Sequence, residues 1–145
     1  MLLFDGHLDI SMNAVEFNRD LTKSLKEIRD REAEKLDYKD RGKGILTLDE
    51  MRKGQIGVCI ATQIARYVAP ETNMPGWNSP DIAWAITQAQ LAWYRVMEDQ
   101  GQMTQITNRD ELSAHVDLWK TANDTSELPI GYILSLEGAD SIINL

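Results

Sequence analysis

Met1-Leu2-Leu3-Phe4-Asp5-Gly6-His7-Leu8-Asp9 opens the chain. Its first four residues are a short apolar run reaching a glycine, which predicts a buried strand leaving a sheet. His7 and Asp9 are two apart, so a strand that persists through them puts both side chains on one side. An imidazole nitrogen and a carboxylate oxygen converging at a strand end form a partial site for a divalent metal, zinc being the commonest guest of such mixed donors. The plainer alternative is that Asp9 caps or turns the chain and His7 is an ordinary hydrogen-bonded histidine. The far end of the chain bears on that choice. There Ile130-Gly131-Tyr132-Ile133-Leu134-Ser135-Leu136 reads as another strand and runs straight into Glu137. An acidic residue closing an apolar strand is costly unless a cation or hydrogen bonds satisfy it.

Between these ends the pattern alternates. Residues 11–44 carry Leu21, Leu25, Ile28 and Leu36 near helical spacing in a heavily charged background, which predicts one or two short helices with a solvated face, then a loop at Lys39–Gly44. Thr47-Leu48-Asp49-Glu50 has capping-box spacing and predicts a brief helix ending at Gly54. Ile56–Ala61 is apolar on both faces, as a parallel strand is. The stretch 62–79 holds Pro70, Pro75, Gly76 and Trp77 and reads as a long active-site-side loop. Arg66, Tyr67 and Trp77 are candidates to line a pocket there, the alternative being a surface loop pinned by Trp77. Ser79-Pro80 then announces a long helix with Ile82, Ile86, Ala89, Trp93 and Val96 on its core face. Met103–Ile106 is a short extended piece. Asn108–Glu111 starts a helix with Leu112, His115 or Val116, and Trp119 inward, and His115 reads as structural. Ala139–Leu145 resembles the first turns of another helix. Such an alternation implies a parallel sheet with right-handed crossovers, and ligands gather at the carboxyl ends of its strands. His7, Asp9 and Glu137 fall there.

Composition sets the outer bounds. The 145 residues amount to one domain, 43% hydrophobic, with 15 basic and 23 acidic side chains and a net charge of −8. That balance disfavours nucleic acid and anionic membrane as partners, because both need clustered Lys and Arg. No segment approaches the roughly 20 apolar residues of a membrane span. A single cysteine, Cys59, sits in an apolar run and reads as a core residue of a reducing compartment, so a cytoplasmic location is expected.

With these residues placed, the chain resembles the renal (membrane) dipeptidase family of zinc peptidases. Asp5-Gly6-His7-Leu8-Asp9 is similar to the family's Asp-Gly-His-Asn-Asp opening, with Leu8 where relatives carry Asn. Leu48–Gly57 is similar to the stretch entering its second strand, and Leu136–Ile142 to its glutamate strand end. The resemblance implies an α/β fold, namely the first three or so β/α units of a (β/α)8 TIM-type barrel of the metal-dependent hydrolase kind. It further implies that His7 and Asp9 bind one zinc, that Glu137 bridges to a second, and that Asp5 supports the site. The reaction implied is hydrolysis of a dipeptide-like substrate by water activated at the metals. Two histidine ligands and an acid/base group of that family have no counterpart here and would lie beyond Leu145; a full barrel needs about 250 residues.

Two readings follow. In one, the sequence is the amino-terminal part of a zinc-dependent dipeptidase completed by further chain or by a complementary carboxy-terminal chain. In the other, the 145 residues are a non-catalytic partial barrel that covers its open edges by forming a homo-oligomer.

Overall fold

A computed structural model describes residues 1–143. Chain order is β1 (Leu3–Leu8), α1 (Ile10–Val15), α2 (Leu25–Glu32), α3 (Leu48–Lys53), β2 (Ile56–Ile64), α4 (Pro80–Asp99), β3 (Met103–Gln105), α5 (Arg109–Thr121) and β4 (Ile130–Glu137). The strands form one sheet in the order β1-β2-β4-β3, and every pair is parallel. Parallel neighbours require crossovers, which the helices provide. Among the described residues no helix is long and apolar enough to cross a membrane.

The helix starts follow local chemistry. Thr47, Ser79 and Asn108 each accept a backbone N–H from the first turn that follows, at 3.0–3.1 Å. The Thr47 box is only half made, since the Glu50 side chain turns to Lys53 instead. A complete box stands at Ser24, whose side chain accepts from Glu27 N–H while Glu27 accepts from Ser24 N–H.

The core lies between the sheet and α4. Tyr94 stacks on Tyr132 with ring centroids 4.9 Å apart, and Ile10, Leu48, Met51, Cys59, Ala61, Met103 and Ile130 surround them. Burial pushes the Cys59 thiol up to about 12, so it is an inert core group. His115 is also structural. Its ring lies against the sheet with Nε2 2.9 Å from Gly57 O, and burial lowers its pKa. The close packing of Leu2, Trp119 and His115 on the sheet needs glycines beneath them. A Cβ on Gly57 would stand 2.3 Å from Leu2 Cδ1, and one on Gly131 2.7 Å from His115 Nε2.

Several expectations are corrected. Met103–Ile106 contributes a fourth strand, β3, paired to Ile130–Tyr132. Strand β2 runs on through Thr62 and Gln63 to Ile64, which pair with Ser135, Leu136 and Glu137, so the loop begins at residue 65. The buried face of α4 is Ala83, Thr87, Gln90, Tyr94 and Met97, one residue round from the apolar stripe, leaving Ile82 and Val96 exposed. Leu3 and Phe4 are exposed because β1 is an edge strand, and Leu36 lies outside α2 in solvent. Ala139–Ile143 form a turn rather than a helix, and the rest of that expected helix, 144–145, lies outside the described residues.

The charged segment 26–41 is not merely solvated surface. Glu32 is buried and receives Arg19 Nε at 2.8 Å and Nη2 at 3.0 Å, Arg41 Nη1 at 2.8 Å and Gly42 N–H at 2.9 Å. Arg41 also donates to Phe17 O and pairs with Asp37. This clamp ties the 33–44 loop to α1 and α2.

Candidate metal centre

Strand β1 carries His7 to the carboxyl end of the sheet. The backbone turns there: Asp5 Oδ1 accepts His7 N–H at 3.0 Å, and the β1–β2 register shifts between Asp5 and Leu8. Such an irregularity re-aims a side chain at a strand end. Asp9 follows at the N-cap position of α1, yet its side chain accepts no capping hydrogen bond. Asp9 thus turns the chain through its backbone, its carbonyl accepting from Asn13 N–H at 3.3 Å and Asn13 Nδ2 at 3.0 Å, and leaves its side chain free of capping. Its carboxylate turns toward His7, with Oδ1 3.3 Å from His7 Nε2. From β4, two strands away, Glu137 Oε2 comes within 3.1 Å of the same nitrogen.

One donor atom from each of these three residues lies within 4.8 Å of the others. Donors on a tetrahedral zinc, at about 2.0–2.1 Å from the ion, stand roughly 3.3 Å apart, close to the 3.3 and 3.1 Å that separate His7 Nε2 from the two carboxylate oxygens. Asp9 Oδ1 is buried and, apart from His7 Nε2 at 3.3 Å, has no partner and no well-formed hydrogen bond among the described residues. A buried carboxylate oxygen left in that state is unfavourable, and a cation would satisfy it. Burial, and then the nearby Glu137 charge, push the Asp9 carboxyl up, while His7 draws it down. One nitrogen and two oxygens is a donor set that suits zinc and similar divalent ions.

An open cavity of about 470 Å³ adjoins the trio, lined by His7 and Asp9, by Met12 and Phe17 of the α1 side, and by Arg19 and Lys43. The clamp around Glu32 thus shapes one wall of the cleft beside the site, a role the sequence did not announce. Arg66 lines a separate cavity of about 150 Å³ with Glu16 and Trp77, and Met12 borders both cavities. Tyr67 does not line it; it bridges to Trp77, and Trp77 N–H donates to Arg66 O at 2.8 Å. Trp77 therefore pins the loop and also walls a small pocket.

The architecture is a mixed α/β unit with a four-stranded parallel sheet and polar side chains gathered at its carboxyl rim, as in barrel and open-sheet enzymes. In a comparison of whole folds, the chain matches a crystal structure of the dipeptidase AC, a metallopeptidase of family M19, with a TM-score of 0.56 and 20% sequence identity. The match covers 97% of this chain and 36% of that one, so the chain spans about a third of that dipeptidase's length. Likeness at this identity establishes a shared fold. No protein-family model matches the chain, and no curated protein matches it by sequence.

Proposed function

We propose that this chain supplies part of the metal centre of a dipeptidase-like, metal-dependent hydrolase, with His7, Asp9 and Glu137 as ligands. The observation that carries the reading is the convergence of these side chains from β1 and β4 on one point, where the buried Asp9 Oδ1 has only His7 Nε2, at 3.3 Å, facing it and no well-formed hydrogen bond. The fold likeness to a metallo-dipeptidase supports the same reading. When bound, a zinc pair at such a rim supplies Lewis acidity that polarises a carbonyl and acidifies water.

The residues of this chain do the holding. His7 presents Nε2 and the two carboxylates present oxygens, which balance dipositive charge. Asp5 fixes the His7 backbone and so orients its ring. Leu8 and Ile10 on either side of Asp9 bury the stem of the turn. The cleft beside the trio receives a small dipeptide-like substrate, with Lys43 on its wall as a cationic group for a carboxylate. The remaining ligands and the acid/base group come from further polypeptide that completes a TIM-type barrel, in the same chain or a complementary one. The unpaired outer edge of β1, and the stretch Ile133–Glu137 of β4 beyond the end of β3, are where that polypeptide pairs. The same open edges favour self-association as a second reading. We place the protein in the cytoplasm, where the lone buried Cys59 stays reduced.

The test is hydrolysis of a panel of dipeptides by the zinc-loaded full-length polypeptide. Turnover that falls by at least about a hundredfold in Asp9→Asn and on chelation supports the assignment. Turnover that survives both contradicts it.

A further inference from the structure

His7 and Asp9 come from β1 and Glu137 from β4, but these strands are not neighbours: β2 lies between them. The three side chains therefore meet across the carboxyl end of β2, which makes a β2 side chain the candidate for the floor beneath them. The register identifies it. Leu8, the last residue of β1, pairs with Ala61, so Asp9 leaves the sheet next to the level of Thr62, and Thr62 in turn pairs with Ser135, two residues before Glu137. Side-chain alternation gives the direction. Gln63 points to α4, donating to Thr87 O at 2.7 Å, so Thr62 and Ile64 face the other way. Ile64 is the partner of Glu137 and shares its face.

Thr62 is 1% exposed, and its Oγ1 has no hydrogen-bond partner among the described residues. Its backbone carbonyl is well used, accepting from Ser11 Oγ at 3.1 Å and Tyr94 OH at 3.3 Å. Asp9 Oδ1, just past the end of β1, and Thr62 Oγ1, on the neighbouring β2, are thus two buried polar atoms without a well-formed hydrogen bond. A hydroxyl that only packed would be better replaced by a methyl group of the same shape, because an unpaired buried hydroxyl is unfavourable.

We propose that Thr62 is a positioning residue of the metal centre, its hydroxyl donating a hydrogen bond to an oxygen of the cation's ligand shell from the floor of the site. This rests on the trio being a metal site. The hydroxyl orients that oxygen, as groups behind first ligands do, and such groups change metal affinity by about 10–100-fold.

The test compares full chains carrying Thr62→Val, Thr62→Ser and Asp9→Asn with the parent. Zn2+ affinity is measured by calorimetry and thermal midpoints are taken in chelator. Thr62→Val is expected to lose about tenfold or more in Zn2+ affinity while its metal-free midpoint stays level or rises; Thr62→Ser is expected to keep affinity within about threefold. Thr62→Ala, which removes the hydroxyl without the added methyl, serves if the valine variant misfolds and is expected to lose affinity likewise. Unchanged affinity in Thr62→Val, with Asp9→Asn abolishing binding, overturns the role of Thr62 and leaves the metal site standing. Parent affinity no better than that of Asp9→Asn overturns the metal site itself, and this inference with it.

Discussion

Glu32 accepts from two arginines and a backbone amide while almost wholly buried. Arg19 above all, with Gly42 and Arg41, holds its carboxyl down at about 2. A carboxyl depressed below its unfolded value of about 4.5 stabilises the fold fully above that pH and loses this contribution as pH falls toward about 2. Glu32→Gln leaves two guanidinium groups facing a neutral partner, and breaking a buried pair in this way costs about 3–5 kcal/mol. Urea unfolding is expected to show that loss at pH 7 and a shallower decline of stability between pH 4.5 and 2 than in the parent. A variant as stable as the parent at pH 7 contradicts the clamp. The residue scale is also where the sequence was most and least informative. His7, Asp9 and Glu137 were legible because a metal-type donor at the end of an apolar strand is conspicuous. Glu32 was not, because its partners lie 13 and 9 residues away across loops, and a run of mixed charge looks the same whether solvated or folded inward.

Helix α4 illustrates the element scale. Its cap, Ser79-Pro80, fixed where it begins, and its length followed from the absence of breakers before Gly101. Its buried face did not follow from hydrophobicity, because two of the inward residues are polar. Gln90 is fully buried and works as a bracket: Oε1 accepts Ile64 N–H at 2.8 Å, and Nε2 donates to Ile64 O at 2.7 Å. These bonds finish the end of β2 at the level where Glu137 leaves β4, so α4 helps hold the rim. Gln90→Leu keeps the volume but leaves the Ile64 amide and carbonyl without these partners, an expected loss of about 1–3 kcal/mol. Amide exchange at Ile64 is expected to speed up with it. Protection at Ile64 equal to the parent contradicts the bracket. The short β3 escaped notice for a different reason: three residues carry too little periodicity to declare a strand, and its pairing partners lie 27 residues away.

At the scale of the whole molecule, strand and helix alternation announced a parallel sheet, and the convergence of its strand ends located the candidate centre. What the alternation does not encode is spatial order. That β4 lies beside β2, with β3 outside it, follows from tertiary pairing. This order places β2 between the strands that carry the trio, and it is the basis for assigning Thr62 to the floor of the site. It also leaves the outer edge of β1 and part of β4 open. Unpaired edges in a parallel sheet recruit further strands, so the fold and the candidate metal centre ask for completion in the same direction.

The central claim is that His7, Asp9 and Glu137 form one cation site, and a calorimetric Zn2+ titration of the full chain tests it most directly. His115→Ala serves as a control because that histidine is buried elsewhere, hydrogen-bonded to Gly57. Zn2+ binding that is lost in His7→Ala, Asp9→Asn and Glu137→Gln but kept in His115→Ala is the predicted result. Binding that survives all three substitutions, or that never occurs in the parent, contradicts it.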